Sequence, residues 1–269
     1  MRLEEPVGAS WKAELALGFE SRNGKTVLAK RRHEGPLVVQ KPLYPEGDEV
    51  CHAIVVHPPG GIAGGDELDF SAAIGAGAHA LITNPGAAKW YRSAGAWAKQ
   101  KLAFDVEGSL EWLPRETIVF DGARAELGCE IRLGPGARYI GWDIVCLGRT
   151  GSGERFGKGC INIDSRISYQ GKLLWLERGT IEGGGALMKS PAGLGGRPVF
   201  GTLVATGVPP ELLGKCRKIA AATLLPGLLV ARYLGDSAEE AFKAFTSLWL
   251  LLRPAVMQRK AAPLRIWST

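Results

Sequence analysis

The sequence predicts a mainly β protein: a large multi-stranded β body of stacked or coiled sheets with a small C-terminal helical portion. Three observations predict it. Apolar and polar residues alternate with period two, repeatedly, from the N-terminus to about residue 207, the mark of strands with one buried face. The 269-residue chain carries 37 Gly and 16 Pro, so about one residue in five is a chain-turner and the elements are short. Past Pro209-Pro210 the pattern changes to a helical repeat.

Taken in order, Trp11–Phe19 alternates loosely, and Asn23-Gly24 is a hairpin turn signal. In Lys101–Val106, Leu102, Phe104 and Val106 alternate with Lys101, Ala103 and Asp105. In Cys160–Ser168, Ile161, Ile163 and Ile167 fall on one side, against Asn162, Asp164, Arg166 and Ser168 on the other. Turns are expected at Gly75–Gly77, Gly134-Pro135-Gly136, Gly151–Gly153 and Gly183–Gly185. This spacing implies ten or more strands, too many for one flat sheet. Glu211–Ala222 follows a Pro pair and reads as a helix. Ala238–Arg253 reads as a stronger one. Ser237 is placed as its N-cap and Glu240 completes a capping box, satisfying two free backbone N–H groups. Ala238, Ala241, Phe242, Phe245, Leu248, Trp249 and Leu252 form one apolar stripe. Glu239 and Lys243 make a correctly ordered pair four residues apart, and Pro254 is expected to end the helix. The stripe suits packing on the sheets. It is also the candidate partner or dimer surface, carried by Phe242, Leu248, Trp249, Leu251 and Leu252. Residues 1–208 are assigned to the β body and 209–269 to the helical portion packed on it, one structural domain overall.

Composition bounds the function. Hydrophobic residues make up 46% and charged residues 22%, ordinary for a soluble globular protein. The net charge of +6 is mild, and the only tight basic group is Lys30-Arg31-Arg32, so a dedicated nucleic-acid binder is not expected. Met1-Arg2-Leu3-Glu4-Glu5 is acidic and lacks the apolar core of a secretory signal. The longest nearly apolar run, Ile219–Ala231, is too short to span a bilayer core of about 30 Å, so no membrane association is expected. Cys51, Cys129, Cys146, Cys160 and Cys216 are odd in number and without a C-x-x-C. That fits a reducing cytoplasm.

Two nucleotide-like strings fail on inspection. Gly24-Lys25-Thr26 resembles the end of a phosphate-binding loop, but the required glycine five residues earlier is Phe19. Gly151-Ser152-Gly153 lacks the third glycine of a dinucleotide fingerprint. The most unusual stretch is His57-Pro58-Pro59-Gly60-Gly61-Ile62-Ala63-Gly64-Gly65-Asp66. Its prolines stiffen the entry and its glycines allow close backbone approach, either to make room for neighbouring chain or to present His57 and Asp66. Cys51, His52 and His57 combine thiolate and imidazole donors suited to a late first-row metal such as nickel or zinc. On a strand, however, 51 and 57 share a face and 52 points the other way. Asp143, flanked by Trp142 and Ile144, and Glu177, after Leu173-Leu174-Trp175-Leu176, are acids in apolar strands. If they face inward they need partners and become candidates for a polar interior path or a weak ion site. No carboxylate pair or Ser/His/Asp order stands out. A β-rich hydrolase or lyase using acids near Asp66 is the alternative enzymatic reading.

Seven strings in one order carry a family resemblance: His33–Leu37, Gln40–Gly47, Cys51-His52, His57–Asp66, Asn84–Ser93, Glu111–Phe120 and Leu147-Gly148-Arg149 with Ser152-Gly153-Glu154. Together, over about residues 10–260, they resemble the urease accessory protein UreD (UreH) family, with Asn84 where Thr is expected. The resemblance implies a non-enzymatic maturation factor of predominantly β fold. It implies partnership with UreF, the GTPase UreG and the urease structural subunits, homodimerisation within the accessory complex, and no tightly bound cofactor. It further implies transient Ni2+ in an internal passage toward the urease site. Asp66, Asp143 and Glu177 are then expected to line that passage, with Lys89 as a charge partner and Cys51, His52 and His57 as weaker ligands. Isolated carboxylates suit transit, whereas a closed Cys/His cage would trap the ion.

Overall fold

The computed structural model describes residues 10–268; the acidic Met1–Glu5 start lies outside them. Seventeen strands are described: β1 (Lys12–Arg22), β2 (Lys25–Glu34), β3 (Val38–Val39), β4 (Cys51–Val56), β5 (Glu67–Ile74), β6 (His79–Thr83), β7 (Ala88–Trp90), β8 (Ala98–Val106), β9 (Ser109–Trp112), β10 (Thr117–Val119), β11 (Arg124–Leu133), β12 (Arg138–Leu147), β13 (Cys160–Tyr169), β14 (Lys172–Glu182), β15 (Val199–Thr206), β16 (Ala221–Leu225) and β17 (Leu228–Gly235). Three α-helices accompany them: α1 (Ala186–Lys189), α2 (Leu213–Cys216) and α3 (Ala238–Val256).

The strands form a seven-stranded sheet, ordered β14-β13-β11-β8-β5-β1-β2, and a ten-stranded sheet. The second runs β16-β17-β15-β12-β9-β6-β4-β3, with β10 beside β12 and β7 beside β10. From β4 to β13 the chain passes back and forth between the sheets, only β6–β7 and β9–β10 staying within the second, and the β5-β8-β11-β13 and β4-β6-β9-β12 ladders are parallel. The body is therefore a β coil. Antiparallel strands close its ends: β2 and β14 on the first sheet, and β3 and the β15-β17-β16 meander on the second. Residues in register stack from turn to turn, as in His52, Leu81, Glu111 and Ile140. Asn23 and Gly24 at the β1–β2 hairpin both take positive φ, 52° and 79°, the backbone that a two-residue turn matched to strand twist requires.

The ten-stranded sheet is buried on both faces. One face meets the seven-stranded sheet through Ala53, Ile82, Leu110, Trp112 and Tyr139. The other meets α3 through Leu81, Ile140, Trp142, Phe245 and Trp249. This explains why β6 is buried at every position and reads as a continuous apolar run. The seven-stranded sheet keeps one face in water, so β5 and β8 alternate as expected.

Three expectations change. Residues 209–269, expected to be a helical portion packed on the body, also contain β16 and β17, which extend the second sheet. The Glu211–Ala222 helix shrinks to a 3-10 turn at Pro210–Leu212 and α2, since Ala221 already pairs with Arg232 of β17. Pro254 does not end α3, which continues to Val256. A proline this close to the C-terminus disturbs only the final turn. The N-cap is as expected, with Glu240 N–H donating to Ser237 Oγ at 3.2 Å. The stripe assigned to partner binding is used internally: Phe242, Leu248, Trp249 and Leu252 are buried on the chain's own sheet, and Leu251 is half-buried beside them. That face is already covered.

Candidate functional site

Strand parity sends Asp143 of β12 into the space between the sheets, on the same side as Tyr139, Gly141 and Val145. Its place in the ladder is special. β9 ends at Trp112, opposite Gly141, and β10 begins at Thr117, opposite Val145. Asp143 thus faces the break where Pro114, which has no N–H to donate, interrupts the pairing. On its other side Asp143 pairs with Thr202 of β15, and Thr202 with Arg232 of β17. Gly141 makes room for the Tyr139 ring, since a Cβ on it would lie 2.1 Å from the Tyr139 hydroxyl, which folds over it.

Two cavities meet at this point. One, of about 300 Å³, is lined by His57, Gly61, Asn84, Lys89, Trp112 and Asp143 among others. The second, of about 80 Å³, reaches Ser165, Trp175, Glu177 and Thr202. Gln100, Leu102, Thr117 and Asp143 line both. The two cavities thus line up between the sheets from the His57 loop to Glu177, with Asp143 on the wall they share.

The electrostatics fit a polar path in an apolar wall. Asp143 lies among densely packed protein atoms yet is exposed to water-sized molecules where it borders the cavities. Burial, with the nearby Glu177 charge, pushes its carboxyl up to about 6. The Trp112 indole N–H offsets this slightly. It lies close enough to favour the carboxylate but falls short of hydrogen-bond geometry, leaving a buried donor unpaired. At the other end, His57 Nε2 is buried and unpartnered. Burial holds that imidazole below its ordinary pKa against the opposing pull of Asp66, so the ring on the cavity wall favours its neutral form and leaves Nε2 without a partner. Glu177 closes the far end through Thr202 Oγ1, which donates to its Oε2 at 3.1 Å, and through Arg232.

The remaining expected residues lie elsewhere. Asp66 is 3% exposed, and its two oxygens accept the backbone N–H groups of Trp11 and Ala63, both at 2.8 Å. It anchors the glycine loop to β1 and lines neither cavity. Cys51 faces the core between the sheets, where burial pushes its thiol up. His52 points the opposite way, toward α3. Thus Cys51 and His52 do not converge with His57. Lys89 is exposed and borders the first cavity with His57. Among the described residues no group of three or more His, Cys, Asp or Glu is placed to hold a metal ion.

Sequence reasoning missed a second constellation, behind the ten-stranded sheet. Arg253 of α3 is fully buried. It donates to both oxygens of Glu111 at 3.0–3.1 Å and to both oxygens of Glu46. His79 meets Glu111 Oε1 at 2.7 Å, His52 meets Glu46 Oε1 at 2.7 Å, and Trp249 Nε1 donates to Glu111. Burial pushes Glu46 up, but the hydrogen bonds from His52 and Arg253 outweigh it and hold the carboxyl at about 2. Glu111 is likewise held low by His79 and Arg253 against complete burial. With every member paired, the cluster is a structural clamp and carries no open coordination site. The available signal was Glu111 inside the apolar run Leu110–Leu113.

Fold and site together define a two-sheet β-coil protein with two cavities between its sheets that share Asp143. The family model described as UreD urease accessory protein matches residues 12–268, and the chain belongs to that family. It is 54% identical to the urease accessory protein UreD of Azoarcus sp. (strain BH72), over 96% of this chain and 94% of that one. It is 52% identical to the UreD of Dechloromonas aromatica (strain RCB), over 97% and 95%. It is 47% identical to that of Methylobacillus flagellatus, over 96% and 95%. Among the described residues no helix is long and apolar enough to cross a membrane.

Proposed function

We propose that this chain is a cytoplasmic urease maturation factor that binds apo-urease together with UreF and UreG and passes nickel toward the urease active site through the space between its sheets. Membership of the family supports the maturation role. The observation that carries the route is the pair of cavities sharing Asp143. Nickel here is cargo. A cation in transit needs oxygen or nitrogen donors spaced along a path, each too weak alone to retain it. His57 Nε2, the Asp143 carboxylate and Glu177 are such single donors. Asp143, at about 6, is mostly ionised at neutral pH and gives up a bound cation as pH falls. The scaffold role does not use the Phe242–Leu252 stripe, which is internal; contacts with UreF, UreG and a second copy fall on other surfaces.

Co-expression with the urease structural subunits and the other accessory proteins tests the proposal. Affinity capture of this chain is expected to co-purify UreF, UreG and urease, and removing it to leave urease low in nickel and activity. Normal nickel content in urease made without it would overturn the proposal.

A further inference from the structure

The inner cavity ends at a basic side chain held by three of its lining residues. Arg232 of β17 stands between the inner cavity, bordered by Trp175, Glu177 and Thr202, and an open surface groove of about 510 Å³ bordered by Trp175, Arg217, Val230 and Arg232. Its guanidinium donates to Glu177 and, at 2.7 Å, to Thr202 Oγ1, while Thr202 donates to the other Glu177 oxygen. It also lies over the Trp175 ring, 5.2 Å from the centroid. The three groups make a closed ring that joins the edge strand β14 of one sheet to β15 and β17 of the other. A guanidinium at this point blocks a cation twice: it occupies the carboxylate the cation would use, and it repels positive charge.

We propose that Arg232 is the gate of the passage, closing its Glu177 end to divalent cations while it is held on Glu177, Thr202 and Trp175. The latch is built to open. The Arg232 and Glu177 side chains are 43% and 27% exposed, and an ion pair this wet is weak and screened by salt. A competing carboxylate or a rise in ionic strength frees Glu177 without unfolding any element. The proposal rests on the nickel-transfer reading.

The test uses the full chain in complex with its accessory partners, with Ni2+ alone as probe. Nickel entry and its loss to an external chelator are timed for wild type, Arg232→Ala and Arg232→Gln, the last keeping a long polar stem without the charge. Both variants are expected to exchange nickel about tenfold faster, and higher salt is expected to speed wild type but not the variants. Circular dichroism checks that they remain folded. Unchanged or slower exchange in both variants would overturn the gate. If wild type itself neither takes up nickel nor raises urease loading, the transfer reading has failed; if wild type does so and the variants match it, only the gate has failed.

Discussion

Arg253 and Glu111, 142 residues apart in the chain, meet through donors 3.0–3.1 Å from both carboxylate oxygens, with both side chains fully buried. This contact fixes α3 on the ten-stranded sheet, and through Glu46 it also ties down the loop between β3 and β4. Removing one partner leaves a buried charge uncompensated. Arg253→Met is expected to lower unfolding free energy by about 3–5 kcal/mol. Replacing Arg253, Glu111 and Glu46 together by apolar residues of similar volume removes the charges but leaves His52, His79 and Trp249 Nε1 without their partners, so it is expected to recover only part of that loss. Urea unfolding of the single and triple variants checks both statements.

The same cluster sets the acid limit of the fold. Glu46 and Glu111 are held below their ordinary pKa in the folded chain, so their stabilisation is complete above the unfolded carboxylate value. It is lost as pH falls from about 4.5 toward 2. Glu46→Gln is expected to be less stable than wild type at pH 7 but to lose less stability over that acid range. Melting temperature against pH, for both proteins, measures the difference in slope.

Asp143 is expected to behave in the opposite sense. Its folded pKa, about 6, lies above the unfolded value, so its ionisation opposes folding as pH rises from about 4 to above 6. Asp143→Asn is expected to match wild type near pH 4 and to exceed it by about 1 kcal/mol at pH 8. That figure is well below the full effect of the shift because water reaches the carboxyl. Denaturant curves at the two pH values decide it.

His57 is expected to remain neutral where an ordinary imidazole is half-protonated, because burial holds its pKa below 6.5. Histidine-detected NMR at pH 6.5 should show a neutral His57 ring. Its resonances should shift on adding Ni2+ at neutral pH, since Nε2 is unpartnered and imidazole is a fitting donor for late first-row metals.

Much of the fold was legible locally. Ile161, Ile163 and Ile167 do line one face of β13, Asn23-Gly24 does turn the first hairpin, and Ser237 does cap α3. Stacked or coiled sheets were expected, but the parallel pairing within them was not legible, because parallel neighbours lie a whole turn apart in sequence, as Glu67 and Lys99 do, and no local pattern marks such pairing. Asp143 and Glu177 stood out as acids among apolar residues, and both border the path. Asp66 stood out equally but serves its loop, since sequence cannot distinguish a carboxylate bound to backbone N–H groups from one facing a cavity. Arg253 was hidden: at the end of an amphipathic helix an arginine reads as a solvent-facing C-terminal cation, and only the distant Glu46 and Glu111 draw it inward.

The most direct test of the passage is urease made in cells at limiting nickel with Asp143→Asn in place of the wild-type chain, measuring nickel per urease active site after purification. The substitution preserves shape and removes the charge at the point both cavities share. The variant is expected still to co-purify with urease while nickel content falls several-fold. Wild-type nickel content in urease matured by the Asp143→Asn chain would contradict it.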